Sequence, residues 1–425
     1  VACAVVLLFA ASLRVHGWDA SLFEDEVWVA ELVRRGGWHG HSYLTPPLFY
    51  ALQHAWSMVA GVSVPALRAL PAFFGLLLAA IPLCATTRDR ITRVTWSLLL
   101  AASSPLVFYS TRIKQYTLEA CLTCALLVLL LHAQESRSDL AWYGFFVLAA
   151  LGVGTLYEPV FVLTGCALVC IRRPPLVAAF ALIFGLAVAA YLGWLSPGAE
   201  STRLHGDMTA FFGAAGRWVT SPRLFVAGTM HWVGQALNLV RLWWLAVALL
   251  VAFWLYVKRD WTLLLLAAVP PIVITIASAF HIFPYGEVRL MIVCFPALYL
   301  VLADAIALTA RRAPLVLLLV VPFALKTTAY NDTYMRVDDL RPLYDYVAAN
   351  HGTDRIHATA SLAAPLVFHH PELKPFLDEG AGPGWIVGPA RSVRGESRLV
   401  NRLVIGDSAA ARQRDAASAP PPAPH

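Results

Sequence analysis

Three carboxylates, Glu24-Asp25-Glu26, follow the first apolar run of a chain that is otherwise rich in lipid-compatible residues. A carboxylate at a membrane face costs free energy unless it meets water, a partner or a substrate. An ionised carboxylate there can take the proton from an attacking hydroxyl, as a general base does. The competing explanation is structural, because acids at a helix N-terminus also offset the helix dipole. Cations recur on the same side: Arg112, Lys114 and Arg289 lie in tight turns between apolar runs. The plain account is that these side chains snorkel to lipid headgroups. The chemical account is that they grip an anionic headgroup, for which Arg suits phosphate because its planar fork engages two oxygens together. A lipid phosphate would enter from the bilayer at this depth. Cations there would also stabilise charge developing on a phosphate.

The elements that must position these groups are membrane helices. Hydrophobic residues make up 59% of the chain and charged residues 14%, against about 25% charged in ordinary soluble domains. Apolar stretches occupy 1–13, 66–85, 94–110, 116–132, 141–156, 159–171, 176–195, 237–257, 261–280, 290–310 and 313–329. Alternate loops are short and basic, carrying Arg88, Arg90 and Arg93, then Arg137, Arg172-Arg173, Lys258-Arg259 and Arg311-Arg312, as cytoplasmic loops do. The opposite side receives the long segments 14–65, 196–236 and everything after about 330. Reading 141–156 and 159–171 as two helices keeps the basic loops on one side, which predicts eleven spans, a cytoplasmic start and an external tail. The first run is too short to cross, and the chain opens on Val1 rather than Met, so a preceding segment is expected. Ala10-Ala11-Ser12 makes only a weak signal-peptide cleavage site.

Much of the net charge of +6 sits in those short loops, so it reports topology and not nucleic-acid binding. All seven cysteines fall inside apolar runs, which leaves none for a disulfide in the long external segments. Cys121 and Cys124 form a C-x-x-C within a span, where packing is the expected role. Neither a phosphate-cradling glycine loop nor an internal repeat is found, which argues against direct use of ATP.

The first external loop reads as an interfacial platform. Asp25-Glu26 opens a helical pattern with Val27, Ala30 and Val33 apolar, and Gly36-Gly37 stops it. Pro46-Pro47 opens a second helix, Leu48–Ala60, since a proline at the first helical position loses no bond. Trp28, Trp38, Tyr43, Phe49, Tyr50 and Trp56 suit helices lying along a membrane surface. The run FEDEVWVAELVRRGGWHGHSYLTPPLFYALQHAWSMVAGVSVPALRALPAFFGLL resembles the opening of the GT-C glycosyltransferases, relatives of the protein O-mannosyltransferases and the bacterial aminoarabinose transferases. The matching elements are Asp25-Glu26, Pro46-Pro47-Leu48-Phe49-Tyr50 and Leu67-Arg68-Ala69-Leu70-Pro71. The run Tyr109–Glu119 is similar to the family's external turn in which Arg and Tyr recur, and Phe283–Arg289 to its late turn. The aminoarabinose transferases carry Lys before the paired prolines, where this chain has Thr45.

The resemblance covers about residues 1–330 and implies a specific enzyme. A sugar would move from a polyprenyl-monophosphate carrier to an acceptor hydroxyl of a protein, lipid or glycan, in one inverting displacement at the external face. It places the base at Asp25, with Glu26 beside it to orient the acceptor or Arg partners. Arg112, Lys114, Tyr116 and Arg289 become the ligands of the donor phosphate, and Glu158, Tyr285 and Glu287 candidate contacts to sugar or acceptor. The runner-up reading is a non-catalytic polyprenyl-lipid-binding or transport protein. Transporters keep ionisable groups near the bilayer midplane and often show inverted repeats, whereas here the polar groups collect at one face.

Other residues have plainer expectations. Glu119 and Glu158, acids within apolar surroundings, are expected to pair with a nearby Arg. His39 and His41 are the only metal-ligand candidates, for a divalent ion, and without a third ligand they fit exposed loop residues better. Asp304 lies deep in a span with no partner legible in the sequence. External amphipathic stretches are expected at Thr209–Ala215 and Ser221–Leu237. The fold class expected is an all-α polytopic membrane region, 1–329, followed by a small external α/β domain, 330–408, and a disordered Ala- and Pro-rich tail, 409–425. Within the external domain a helix is expected at Asp338–Ala349 and strands at Arg355–Ala360 and Leu399–Ile405. Arg outnumbers Lys 28 to 4 among the 32 basic residues, in keeping with a GC-rich bacterial genome and placement in a bacterial inner membrane.

Overall fold

A computed structural model describes residues 2–15, 18, 22, 24–36, 46–155, 158–194, 221–237, 243–258, 260–280, 283, 285–311, 321, 325, 327, 341–350, 356–358, 360–378, 385–389, 397–400 and 403–407. The chain divides into two compact units: Val1–His16 with Gly36–Asn331, and Gly17–Arg35 with Asp332–His425. The acidic cluster therefore groups by packing with the C-terminal residues.

The first unit is helical. Its described helices are α1 (Ala2–Arg14), then, beyond the acidic helix α2 (Glu24–Arg35) of the other unit, α3 (Pro47–Ala60), α4 (Val64–Ala80), α5 (Arg90–Ala101), α6 (Ser104–Ser110), α7 (Tyr116–Ser136), α8 (Asp139–Val153), α9 (Pro159–Val169), α10 (Pro174–Trp194), α11 (Pro222–Ala236), α12 (Trp243–Lys258), α13 (Trp261–Ala279) and α14 (Phe295–Ala310). Among the described residues four helices are long and apolar enough to cross a membrane: Val64–Cys84, Tyr116–Ser136, Trp261–Ala279 and Ile292–Ala310. A fifth span results if α5 and α6 count as one, and Cys3–Arg14, Asp139–Val153, Pro159–Val169 and Pro174–Ala189 are shorter apolar helices. Of the eleven apolar runs, 313–329 lies largely outside the described residues. The stretches 141–156 and 159–171 do form two separate helices.

Burial separates central from peripheral spans: the apolar windows at Ile292–Ala310 and Tyr116–Ser136 are 83% and 78% buried, that at Trp261–Ala279 only 28%. The run 94–110, continuous in the sequence, is a broken helix bent by 58°. Pro105 sits in the first turn of α6 and supplies no N–H to continue the ladder. The groups freed at the break are met from elsewhere in the bundle, as backbone at membrane depth requires. The Thr327 hydroxyl donates to the Ala102 carbonyl and lies 3.0 Å from Ser104 Oγ. The Tyr299 hydroxyl reaches Ser103 Oγ at 2.9 Å and also contacts the Ala236 carbonyl.

The basic-loop end of the bundle is held by side chains. Asp89 caps α5 by accepting from the Ile91 and Thr92 backbone N–H at 2.9 and 3.0 Å, and Arg311 approaches it at 3.3 Å. Asp304, buried in α14, accepts from Trp254 Nε1 of α12 at 2.8 Å and lies 3.4 Å from Thr92 Oγ1 of α5. These are the partners the sequence did not disclose. All seven cysteines are free, with Cys3 and Cys84 exposed and the rest, including Cys121 and Cys124, buried.

The second unit contains α2, α15 (Arg341–Asn350), β1 (Ile356–Ala358), α16 (Ala360–His369), β2 (Leu377–Asp378), β3 (Trp385–Pro389), β4 (Ser397–Val400) and β5 (Leu403–Asp407). The sheet order is β2-β1-β3-β5-β4. β1 pairs in parallel with β2 and β3, and β3–β5 and β5–β4 pair antiparallel. Leu343, Tyr344 and Val347 of α15 share a core with Ile356, Ala358, Leu366 and Leu373. The expected single strand Leu399–Ile405 is thus a hairpin, because the pairs Val400↔Leu403 and Leu399↔Val404 fold it back on itself. Of the helix expected over Asp338–Ala349, the described part is α15, from Arg341, and 338–340 lie outside the described residues. The tail 409–425 lies outside the described residues.

Candidate active site

The cationic turn is built by α6 and α7. Arg112 N–H donates to the Tyr109 carbonyl at 3.3 Å and Lys114 N–H to the Arg112 carbonyl at 2.8 Å, closing a compact connection. Packing removes it from solvent: Arg112, Lys114 and Tyr116 are 5%, 6% and 6% exposed. The Arg112 guanidinium stands 4.6 Å from the Phe108 ring centroid, and Tyr109 meets Tyr116 edge-on at 5.0 Å. Two cations held in a buried aromatic turn need hydrogen-bond acceptors or counter-charge around them.

Arg289 sits in a short 3-10 turn, Val288–Leu290, and that turn packs against α6 and α11. The structure thus brings the element carrying Arg289 against the helix that leads into Arg112. Glu287, exposed, supplies the carbonyl that accepts from Leu290 and Met291 N–H. Tyr285 is buried and its hydroxyl is taken within the protein. Trp232 Nε1 donates to it at 3.1 Å, and it lies 2.6 Å from Thr229 Oγ1, which in turn donates to the Phe225 carbonyl. Phe225 stacks on the Tyr285 ring at 5.3 Å. Tyr285 therefore anchors α11 to the turn that carries Arg289.

Glu119 and Glu158 depart from expectation. Each is buried, and neither carboxylate has a hydrogen-bond partner among the described residues, so the expected Arg pairing is not what holds them. Glu119 belongs to a set the sequence spacing could have revealed: Gln115, Glu119 and Thr123 recur every four residues, on one face of a helix. Gln115 Oε1, Thr117 Oγ1 and Thr123 Oγ1 likewise lack hydrogen-bond partners. Buried polar atoms are nearly always satisfied, so a run of exceptions calls for a ligand or water. Glu158 precedes α9, and α9 packs against α7.

The paired-proline helix is tied into the same unit. Leu48 N–H donates to the Gly154 carbonyl at 3.0 Å, in the turn before Glu158. Gln53 Nε2 donates to the Leu67 carbonyl at 2.8 Å and Trp56 Nε1 to the Ala66 carbonyl at 2.7 Å, so α3 and the start of α4 are pinned together. The two short motifs around Pro46-Pro47 and Leu67–Pro71 are physically one joint.

The acidic cluster forms the first turn of α2, with Asp25 its second residue. Gly36, at φ +64°, follows the helix in the left-handed conformation that glycine tolerates. Glu26, Val27, Val29, Ala30 and Val33 are buried. The helix packs against α16, with the Arg34 guanidinium 3.8 Å from the Phe368 ring centroid. His39, His41 and Thr45 lie outside the described residues. Among the described residues no cluster of three or more His, Cys, Asp or Glu side chains is suited to a metal ion.

The backbone can be compared with solved structures. ArnT from Cupriavidus metallidurans bound to undecaprenyl phosphate superposes over 96% of this chain and 98% of that one, with a TM-score of 0.58 and 15% identity. The chain has the ArnT fold. The apo form of the same protein gives a TM-score of 0.57 over 95% of this chain and 98% of that one, at 14% identity. That is the architecture the GT-C resemblance implied. No protein-family model matches the sequence, and no curated protein matches it significantly.

Proposed function

We propose that this chain is a membrane glycosyltransferase that moves a sugar from a polyprenyl-monophosphate carrier to an acceptor hydroxyl. The observation that carries the reading is the likeness, over nearly the whole of both chains, to ArnT, a protein solved with undecaprenyl phosphate bound. The buried cations Arg112 and Lys114 and the unsatisfied carboxylates Glu119 and Glu158 support it, because together they offer an anion site and hydrogen-bond acceptors for hydroxyls. In this reading Arg112, Lys114, Tyr116 and Arg289 hold the donor phosphate. Asp25 takes the acceptor proton as the acceptor oxygen bonds to the anomeric carbon. The bond from that carbon to the phosphate oxygen breaks, the polyprenyl phosphate leaves with the electron pair, and the anomeric centre inverts. Glu26 orients the acceptor, and Glu158 and Glu287 contact sugar or acceptor. The acceptor is a hydroxyl of a protein, lipid or glycan.

The same proposal includes a topology: eleven spans in a bacterial inner membrane, the reaction on the external side, and residues 330–408 as an external α/β domain. Its test is release of polyprenyl phosphate in lipid nanodiscs from a panel of polyprenyl monophosphate sugars. Asp25→Asn is expected to abolish release while keeping the fold and donor binding. Full turnover in that variant would remove Asp25 as the base, and silence of the wild type toward every donor, with acceptor extract supplied, would end the transferase reading.

A further inference from the structure

Arg14, the last residue of α1, is a cation that the roles assigned above leave unused. It is 2% exposed. One nitrogen, Nη1, donates to the Ala10 carbonyl at 2.9 Å and to the Ala101 carbonyl at 3.2 Å, so it caps the C-terminal turns of α1 and α5 together. The other two nitrogens, Nε and Nη2, have no hydrogen-bond partner among the described residues. Those two N–H groups point the same way along one edge of the guanidinium, the edge that forms two parallel bonds to a pair of anionic oxygens. The arginine has thus committed its single-nitrogen side to the backbone and kept its fork.

The position of that fork is set by a glycine. A Cβ at Gly75 would stand 2.6 Å from Arg14 Nε and 2.7 Å from Ser110 Cβ, closer than real side chains come. Arg14 therefore lies directly on α4, with Ser110 of α6 over the same glycine. Ser110 is two residues before Arg112, and the turn it introduces holds Arg112 and Lys114. Two N–H groups on one edge suit a phosphate, whose oxygens accept both, and the turn that carries Arg112 and Lys114 follows Ser110 directly in the chain.

Resting on the transferase reading, we infer that Arg14 is a further positioning residue of the phosphate subsite, its Nε and Nη2 holding two oxygens of a lipid-borne phosphate. The guanidinium anchors the phosphate to α1, α4 and α6 and takes no part in proton transfer.

The test uses the full chain in zwitterionic nanodiscs with undecaprenyl phosphate as the probe. Arg14→Lys keeps the charge and a donor for the helix-end carbonyls but removes the fork. It is expected to weaken binding tenfold or more, the size of a lost charge-assisted pair, with the ligand-free melting temperature unchanged. Gly75→Ala, which displaces the guanidinium, should weaken binding in the same direction. Binding of Arg14→Lys equal to wild type would overturn the inference, as would a lower ligand-free melting temperature with unchanged affinity, the result of a merely structural cap. Inorganic phosphate and phosphatidylglycerol are tested alongside. If either bound as tightly as undecaprenyl phosphate, and only when Arg14 was present, the fork would belong to free phosphate or a headgroup and the polyprenyl assignment would fall. A wild type that binds undecaprenyl phosphate through Arg14 but transfers no sugar would end the transferase reading and leave this one standing. Transfer intact with Arg14→Lys binding normally would do the reverse.

Discussion

Tyr285→Phe separates two accounts of one residue. The sequence placed Tyr285 among the groups that could touch sugar or acceptor. The structure spends its hydroxyl on a hydrogen-bond chain that runs from Trp232 Nε1 (3.1 Å) through Tyr285 to Thr229 Oγ1 (2.6 Å) and on to the Phe225 carbonyl. Removing the hydroxyl spares the ring stacked on Phe225 and leaves Thr229 bonded to Phe225. The Trp232 N–H, on a side chain 6% exposed, is left without its acceptor. An orphaned buried donor costs about 1–3 kcal/mol, which for a chain of this size lowers the melting temperature by about 1–3 °C. The assay is thermal unfolding of the purified protein in nanodiscs, with the same substitution repeated in a Trp232→Phe background. There the donor is already gone, so Tyr285→Phe should cost about 1 kcal/mol less. Because α11 braces the turn that carries Arg289, affinity for the polyprenyl phosphate should fall alongside stability. Unchanged melting together with a raised KM for the sugar donor would refute the anchoring argument and return Tyr285 to the substrate.

Two further outcomes follow from the basic-loop end of the bundle. Burial pushes the Asp89 carboxyl up, but the hydrogen bonds from Thr92 and Ile91 and the charge of Arg311 outweigh it and hold the group below its ordinary value of 3.8. A carboxyl depressed in the folded state contributes stability above its unfolded value and loses it as pH falls through the folded one. Asp89→Ala should therefore cost about 1 kcal/mol as a lost cap, with little from the exposed Arg311 pair, and the difference from wild type in thermal melts should shrink below about pH 4. Asp304→Ala strips the Trp254 N–H of its acceptor and should destabilise by about 1.5–3 kcal/mol in the same melts; wild-type stability in that variant would remove Asp304 as a strut between α12 and α14.

Much of the local structure was legible because it depends on neighbours in the chain. Pro47 opens α3, Gly36 ends α2, and the apolar positions Val27, Ala30 and Val33 are buried, each following from backbone chemistry or helical spacing over a few residues. The breaks in apolar runs were harder to see. The stretch 94–110 reads as one helix, and at its bend Thr327, some two hundred residues distant, meets the freed Ala102 carbonyl while Tyr299 bonds the Ser103 hydroxyl. The stretch Leu399–Ile405 reads as one strand, and the hairpin depends on β5 finding β3.

The membrane class and the residue types able to handle a phosphate and a proton were contained in the amino-acid order itself, since hydropathy and charge act locally and additively. Which polar groups are satisfied was not, because a side chain's partner is set by three-dimensional approach. Only the folded chain distinguishes Tyr285, whose hydroxyl is hydrogen-bonded within the protein, from Glu119 and Glu158, whose carboxylates are buried without hydrogen-bond partners among the described residues. Only it shows that Asp304 is held by Trp254, that Arg14 lies over Gly75 with its Nε and Nη2 without hydrogen-bond partners among the described residues, and that the acidic helix groups with the C-terminal residues. Desolvation makes those differences count: in a low-dielectric interior, an unmet hydrogen bond costs more than any local propensity can report.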